Sequence, residues 1–411
     1  MQVANPAPIS LRPLFALPVI VAALGYFVDV YDLLLFNIVR VPSLKDLGLS
    51  DADTSLIGGR ILNFQQAGLL LGGILWGILG DKRGRLSVLF GSIITYSIAN
   101  IACGFVRDPQ LYAILRFVAG LGLAGELGAG ITLVSEILPK ELRGYGSSLV
   151  ASVGLLGAVV AYFTVTLFDW RTTYFIGGGL GLGLLVLRVS VLESGMFKRI
   201  QQTGVVRGDF WSLFRGRERL LRYFRCMGLA VPTYLVIGIL ATFGNEFGQA
   251  MGIPDPIQPG RCVMFTYVGT VVGDLVSGLL SQWLQSRRKA IGLMMGLTFV
   301  FVSVYLFGGI RSATVFYAVC TGMGFSIGYI AMFLTVTAES YGTNIRATAT
   351  TSVANNVRAT TLLTIPAFQA MKPGIGVLGA GAVVAIICFL IGFWALLTME
   401  ETFGKELDYS E

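Results

Sequence analysis

Histidine is absent from all 411 residues. That removes the side chain that most often ligates zinc, haem or non-haem iron, and the usual general base near neutral pH. Charge is also scarce, at 13% of the chain, while more than half is hydrophobic. A soluble domain needs about a quarter of its residues charged, so lipid is the expected solvent. The five cysteines (Cys103, Cys226, Cys262, Cys320, Cys388) are odd in number and scattered through apolar runs. They read as small buried hydrophobes, not as a disulfide framework or metal site. No G-x-x-x-x-G-K-[ST] loop occurs, which argues against ATP as the energy source. No polar stretch is large enough for a catalytic domain, so neither an enzyme nor a cofactor is expected. The net charge of +7 resides in short loops, which fits membrane topology better than nucleic acid. Met1 to Pro13 is polar and Pro-rich, and the first apolar run is too long for a signal-peptide core.

What the chain does have is long apolar runs. A hydrocarbon core about 30 Å thick needs about 20 helical residues per crossing. Breaks at charged, Gly or Pro clusters predict an all-α membrane protein of twelve helices. They cover 14–41, 56–80, 86–106, 110–138, 143–168, 171–193, 220–248, 261–285, 289–309, 312–340, 346–371 and 374–399. Alternate loops carry about 19 bases on one side against about 7 on the other, which puts both termini in the cytoplasm. The richer side includes Lys82, Arg83, Arg85, Arg143, the run from Lys198 to Arg225, and Arg287, Arg288 and Lys289. The resulting organisation is a six-helix bundle over 1–193, a basic linker over 194–219 and a second bundle over 220–411. With Phe197, Phe210, Trp211 and Phe214 interleaved, the linker suits both a solvated tether and an amphipathic helix on anionic headgroups.

The halves echo each other, as a parallel-repeat carrier requires. Glu136 is followed seven residues later by Arg143, and Glu339 by Arg346. Leu111-Tyr112-Ala113 is matched by Phe316-Tyr317-Ala318. The stretch Gly77-Ile78-Leu79-Gly80-Asp81-Lys82-Arg83-Gly84-Arg85 has a worn copy in Gly278-Leu279-Leu280-Ser281-Gln282 followed by Arg287-Arg288-Lys289, with Gln282 in place of Asp81.

The pattern G-x-L-x-D-x-R-G-R resembles the loop between helices 2 and 3 of the major facilitator superfamily. Glu400-Glu401-Thr402-Phe403-Gly404-Lys405-Glu406-Leu407 resembles the tail of metabolite–proton symporters and sugar porters in that family. The resemblance implies two pseudo-symmetric six-helix bundles that alternate access to a central site. It also implies a cytoplasmic latch, carried here by Asp81, Arg85, Glu136 and Arg143. Without that implication, the same loop reads as a topology signal with no gating role.

Ionisable residues inside apolar runs are the second signal, because a charge in the bilayer is costly and functional by default. Asp29 and Asp32 lie three apart in the middle of helix 1, on one face and close enough to repel. The D-x-x-D pattern resembles helix 1 of proton-coupled aromatic-acid and sialic-acid symporters, with Val30-Tyr31 between the acids here. Arg116 opens Arg116-Phe117-Val118-Ala119-Gly120, which resembles a superfamily motif linked to proton transfer. Glu126, in Gly125-Glu126-Leu127-Gly128, resembles helix 4 of sugar and metabolite–proton symporters. Asp29, Asp32, Glu126 and Arg116 are thus the expected proton-coupling set. Snorkelling to the headgroups is the other reading of Arg116.

Arg358 is the expected substrate anchor, because arginine grips a carboxylate with two parallel hydrogen bonds. Asn355, Asn356, Tyr31, Gln65, Gln66, Asp274 and Tyr329 are the further expected binding residues, with Tyr234 and Tyr267 as possible cavity lining. A structural ion pair from Arg358 to Asp274 or Glu126 is the competing reading. The expected function is transport of a small organic carboxylate across a bacterial inner membrane, coupled to protons, by a monomer. A sugar or polyol porter, an organic-cation or zwitterion carrier, and a non-transporting membrane sensor are the alternatives.

Overall fold

The computed structural model describes residues 12–83, 85–124, 138, 143–193, 216–342 and 345–405. In the first half α1 covers Leu17–Asp46, α2 Asp51–Arg83, α3 Arg85–Cys103, α4 Pro109–Leu123, α5 Arg143–Leu167 and α6 Trp170–Glu193. In the second half α7 covers Arg217–Leu235 and continues through a π-type turn at Val236–Ala241. It is followed by α8 Gly244–Ala250, α9 Pro259–Leu284, α10 Arg287–Phe307, α11 Ala313–Ser326, α12 Ile330–Glu339, α13 Arg346–Arg358 and α14 Thr361–Thr398. Eight helical stretches among the described residues are long and apolar enough to cross a membrane. The outer faces of the helices carry Leu71, Ile98, Phe163, Leu279, Trp283, Phe307 and Leu390 exposed, an apolar surface that suits lipid.

Several boundaries differ from the sequence expectation, and three of the differences have a visible cause. Helix 1 runs five residues further, to Asp46, because Pro42 removes only one ladder donor near the helix end. The expected 312–340 helix is divided into α11 and α12. At the division the Asp274 carboxylate accepts from the Ala331 backbone N–H at 3.0 Å and so caps α12. The expected 346–371 helix tightens after Arg358, where Thr360, Leu362 and Leu363 bond three residues back instead of four. Gly376, at φ 74°, then marks the break expected near 372 inside α14.

Within the first half α1 lies along α5 and α2 along α4; within the second α9 lies along α11 and α7 along α14. The α2/α4 and α9/α11 crossings are built alike. A Cβ on Gly68 or Gly120 would overlap the backbone oxygen of Phe117 or Gln65, and one on Gly269 or Gly324 that of Thr321 or Thr266. Glycine at these crossings lets two backbones touch, which is how membrane helices gain packing energy without a hydrophobic drive. The halves meet through α5 against α9 and α2 against α14.

Candidate functional site

Of the three arginines buried among the described residues, Arg116 and Arg358 organise most of the expected polar positions. Arg116 on α4 is fully enclosed in the first half. It donates from Nε to Gln65 Oε1 at 3.2 Å, from Nη1 to Asn100 Oδ1 at 2.8 Å and from Nη2 to the Asp32 carbonyl at 3.1 Å. Its guanidinium also lies 5.5 Å from the centre of the Tyr174 ring. The snorkelling alternative is therefore corrected: the close α2/α4 crossing shuts Arg116 inside, away from any headgroup. Asp32 is buried within electrostatic reach of this guanidinium, and its Oδ1 points at Gly177 of α6.

Arg358 ends α13 in the second half and is 7% exposed. Its Nε donates to the Tyr234 hydroxyl at 3.1 Å, while Nη1 is buried with no hydrogen-bond partner among the described residues. Tyr26 of α1 and Tyr267 of α9 stand within electrostatic range. The pairing with Asp274 does not form, because that carboxylate is turned to the α12 backbone. Asn355, one turn before Arg358, is buried with its Oδ1 unbonded, and its side chain reaches the position of Gly73 on α2. Gln66 likewise has a buried Oε1 without a partner. Asp29 is buried on α1 and interacts electrostatically with Tyr26, which itself senses Arg358. Tyr26 from the first half and Tyr234 and Tyr267 from the second thus stand around an incompletely bonded cation.

Other expected binding residues are engaged elsewhere. The Tyr31 hydroxyl bonds Thr164 Oγ1 at 2.9 Å and donates to the Thr173 carbonyl at 3.2 Å, tying α1 to α5 and α6. Tyr329 donates to the Leu229 carbonyl at 3.1 Å, and Asn356 to the Tyr223 hydroxyl at 2.8 Å. Gln65 is held by Leu33 and Arg116. Each is spent on joining helices, a common use of polar groups in membrane interiors. Glu126 and the side chains of Asp81, Arg85, Glu136 and Arg143 lie outside the described residues.

The second-half copy of the loop motif is described and is paired. Arg287 meets Glu339 at 3.1 Å, and Thr402 donates to the same carboxylate at 2.7 Å. Glu401 accepts from the Arg287 and Arg288 backbone N–H groups and from the Ser286 hydroxyl, capping α10. Burial works to raise the Glu401 pKa, but the Ser286 hydroxyl and the Phe403, Arg287 and Arg288 N–H groups hold it below the ordinary value. The copy that carries Gln282 in place of the aspartate is therefore bonded to an acid from α12 and to Glu401 and Thr402 beyond α14.

Tyr26, three before Asp29 on the same helix face and not among the expected site residues, stands within electrostatic range of both Asp29 and Arg358. Arg40, Glu246 and Lys372 carried no motif at all, yet they join the halves where α1 ends. Glu246 lies 3.7 Å from Arg40 and 2.7 Å from Lys372.

The sequence profile of the Major Facilitator Superfamily matches residues 22–359. The niacin transporter NiaP of Acinetobacter baylyi is 26% identical over 366 residues, covering 80% of each chain. A probable 4-methylmuconolactone transporter of Cupriavidus pinatubonensis is 24% identical over 400 residues, covering 93% of this chain and 90% of its own. A crystal structure of a D-xylose–proton symporter superposes with a TM-score of 0.67 at 15% identity, over 96% of this chain and 99% of that one, a likeness of fold. By the extent of the profile match and the paired helical halves, this chain is a member of the Major Facilitator Superfamily.

Proposed function

We propose that the chain is a proton-coupled carrier of small organic carboxylates, and that Arg358 holds the substrate's carboxylate between the halves. The observation that carries this reading is the buried Nη1 of Arg358, left without a partner beside Tyr26, Tyr234 and Tyr267. A guanidinium kept from water at high cost, with an open donor, suits a ligand that completes its bonding. The ring-lined surroundings suit a flat apolar body behind the carboxylate. The relative named for niacin, itself an aromatic carboxylate, supports the same class. Gln66 and Asn355 supply amide groups for polar substituents.

The coupling residues in this reading are Asp29 and Asp32, with Arg116 holding the Asp32 backbone and field in place. Glu126 is kept as a member by its motif. A proton on the acids and an anion on Arg358 partly cancel each other's charge, so each lowers the cost of burying the other. The chain crosses the inner membrane twelve times as a monomer, in bundles 1–193 and 220–411 joined by the 194–219 linker, with its termini in the cytoplasm. Asp81, Arg85, Glu136 and Arg143 latch the cytoplasmic side.

Uptake of labelled nicotinate, benzoate and a hexose into proteoliposomes, with and without a pH gradient, tests the reading. The expected result is accumulation of an acid only when the gradient is imposed, with Asp29→Asn and Asp32→Asn retaining exchange but losing accumulation. Gradient-driven accumulation by both variants would refute their proton role. Transport of the hexose alone would favour the polyol-porter alternative.

A further inference from the structure

Where α1 ends, one carboxylate stands between two cations that come from opposite halves. Arg40 belongs to α1, and Glu246 and Lys372 to α8 and α14. Arg40 is fully buried, and only its Nη2 is hydrogen-bonded, to the Thr242 carbonyl at 3.0 Å and Asn245 Oδ1 at 3.3 Å. The π-type turn ending α7 presents that carbonyl, and Asn37 adds a bond to Thr242 Oγ1 at 2.8 Å. Arg40 Nε and Nη1 and Glu246 Oε1 have no hydrogen-bond partner among the described residues, so the Arg40–Glu246 attraction is an ion pair without a hydrogen bond. Lys372 is better placed: its Nζ donates to Glu246 Oε2 and to Ser55 Oγ, each at 2.7 Å. Arg40 lies 4.3 Å over the Phe243 ring and Lys372 5.3 Å over that of Phe368, so apolar rings wall the charges.

The cluster holds two cations against one carboxylate, and the bonds are unequal. If the halves part here, the 2.7 Å Glu246–Lys372 bond stays within the second half, while Arg40 leaves with the first. One wall then carries a neutral pair and the other a lone guanidinium. We propose that this cluster is an anion-capture gate: once opened, Arg40 takes the carboxylate of the incoming organic acid, in the place Glu246 held, before the acid reaches Arg358. The acid thereby competes with Glu246 for Arg40 and favours the open form, because a ligand shifts an equilibrium toward the state that it alone can bind. The identity of the ligand rests on the carboxylate-carrier reading above; the gate itself does not.

Spin labels at Lys45→Cys and Asp255→Cys, both exposed positions, report the width of this end in nanodiscs, and the five native cysteines are buried. Glu246→Gln leaves Arg40 and Lys372 facing each other and is expected to widen the distribution without ligand; an unchanged distribution overturns the gate. Millimolar nicotinate or benzoate is expected to widen the wild type and Arg358→Ala, leave Arg40→Gln unmoved, and widen Arg40→Lys again. Uptake by Arg40→Gln should show a KM raised about tenfold with kcat little changed, the mark of lost capture. If Arg40→Gln still widens while Arg358→Ala does not, the capture site is overturned and the Arg358 anchor stands. If no protein widens with either acid, the capture site is overturned, and uptake decides the carrier reading separately.

Discussion

Arg116 and Arg358 are both arginines buried among helices, one in each half, and they are finished differently. All the described donors of Arg116 point at acceptors within its own half: Gln65, Asn100 and the Asp32 carbonyl. Arg358 has one bond, to Tyr234, and an Nη1 that no described residue satisfies. A buried charge is tolerated when its hydrogen bonds are complete, and leaving one incomplete costs about 1–3 kcal/mol per group. Arg116 is thus a rivet within its own half, while Arg358, like Arg40 at the end of α1, keeps donors that no described residue satisfies. Two bundles can share helix crossings and still bond these two buried arginines differently.

The contrast is most exposed at the rivet. Arg116→Ala strands the Gln65, Asn100 and Asp32 acceptors, and a loss of about 3–5 kcal/mol in stability is expected. Chemical denaturation in detergent measures it, and wild-type stability would break the comparison. Arg358→Ala should do the reverse, sparing the fold while removing about 2–5 kcal/mol of carboxylate affinity. Ligand-induced thermal stabilisation by nicotinate or benzoate reads this, and undiminished stabilisation would remove Arg358 from the site.

The shared part of the halves is tested at the crossings. Gly120→Ala and Gly324→Ala each push a methyl into a facing backbone, and each should cost about 1–3 kcal/mol. Unequal melting shifts would mean that the two crossings do not bear equal load. The smallest effect belongs to the tail. Because the Glu401 pKa is depressed in the folded chain, its contribution is present above the ordinary carboxylate value of 4.5 and is lost as pH falls through the lower folded value. Amide exchange at Arg287 and Arg288, corrected for intrinsic rate, should rise in that acid window, and Glu401→Gln should abolish the step.

Much of this was legible in the chain. Helix positions followed from run lengths, and the repeat offset between Tyr112 and Tyr317 led to equivalent helices that cross through equivalent glycines. Asp29, Asp32, Arg116 and Arg358 stood out because ionisable residues inside apolar runs are rare. The fate of each was not legible. Tyr31 and Tyr329 look as available in sequence as Tyr234, yet their hydroxyls are bound to Thr164 and to the Leu229 carbonyl. Asp274 looked like a partner for Arg358, but a division between α11 and α12 that hydropathy does not register gave it a backbone to cap. Arg40 lies near the end of a span and no motif marks it, yet it is fully buried against Thr242 and Asn245 of the second half.

The sequence by itself determined the membrane class, the helical repeat, the family and the small set of charges inside apolar runs. Those properties come from local sums of hydropathy and from short motifs, which need no partner. Only the tertiary structure decided which of those charges are satisfied. Arg40 meets Thr242 across 202 residues, and Gln369 meets Ser55 across 314. A donor's freedom depends on what another helix brings within about 3 Å, and packing alone sets that distance.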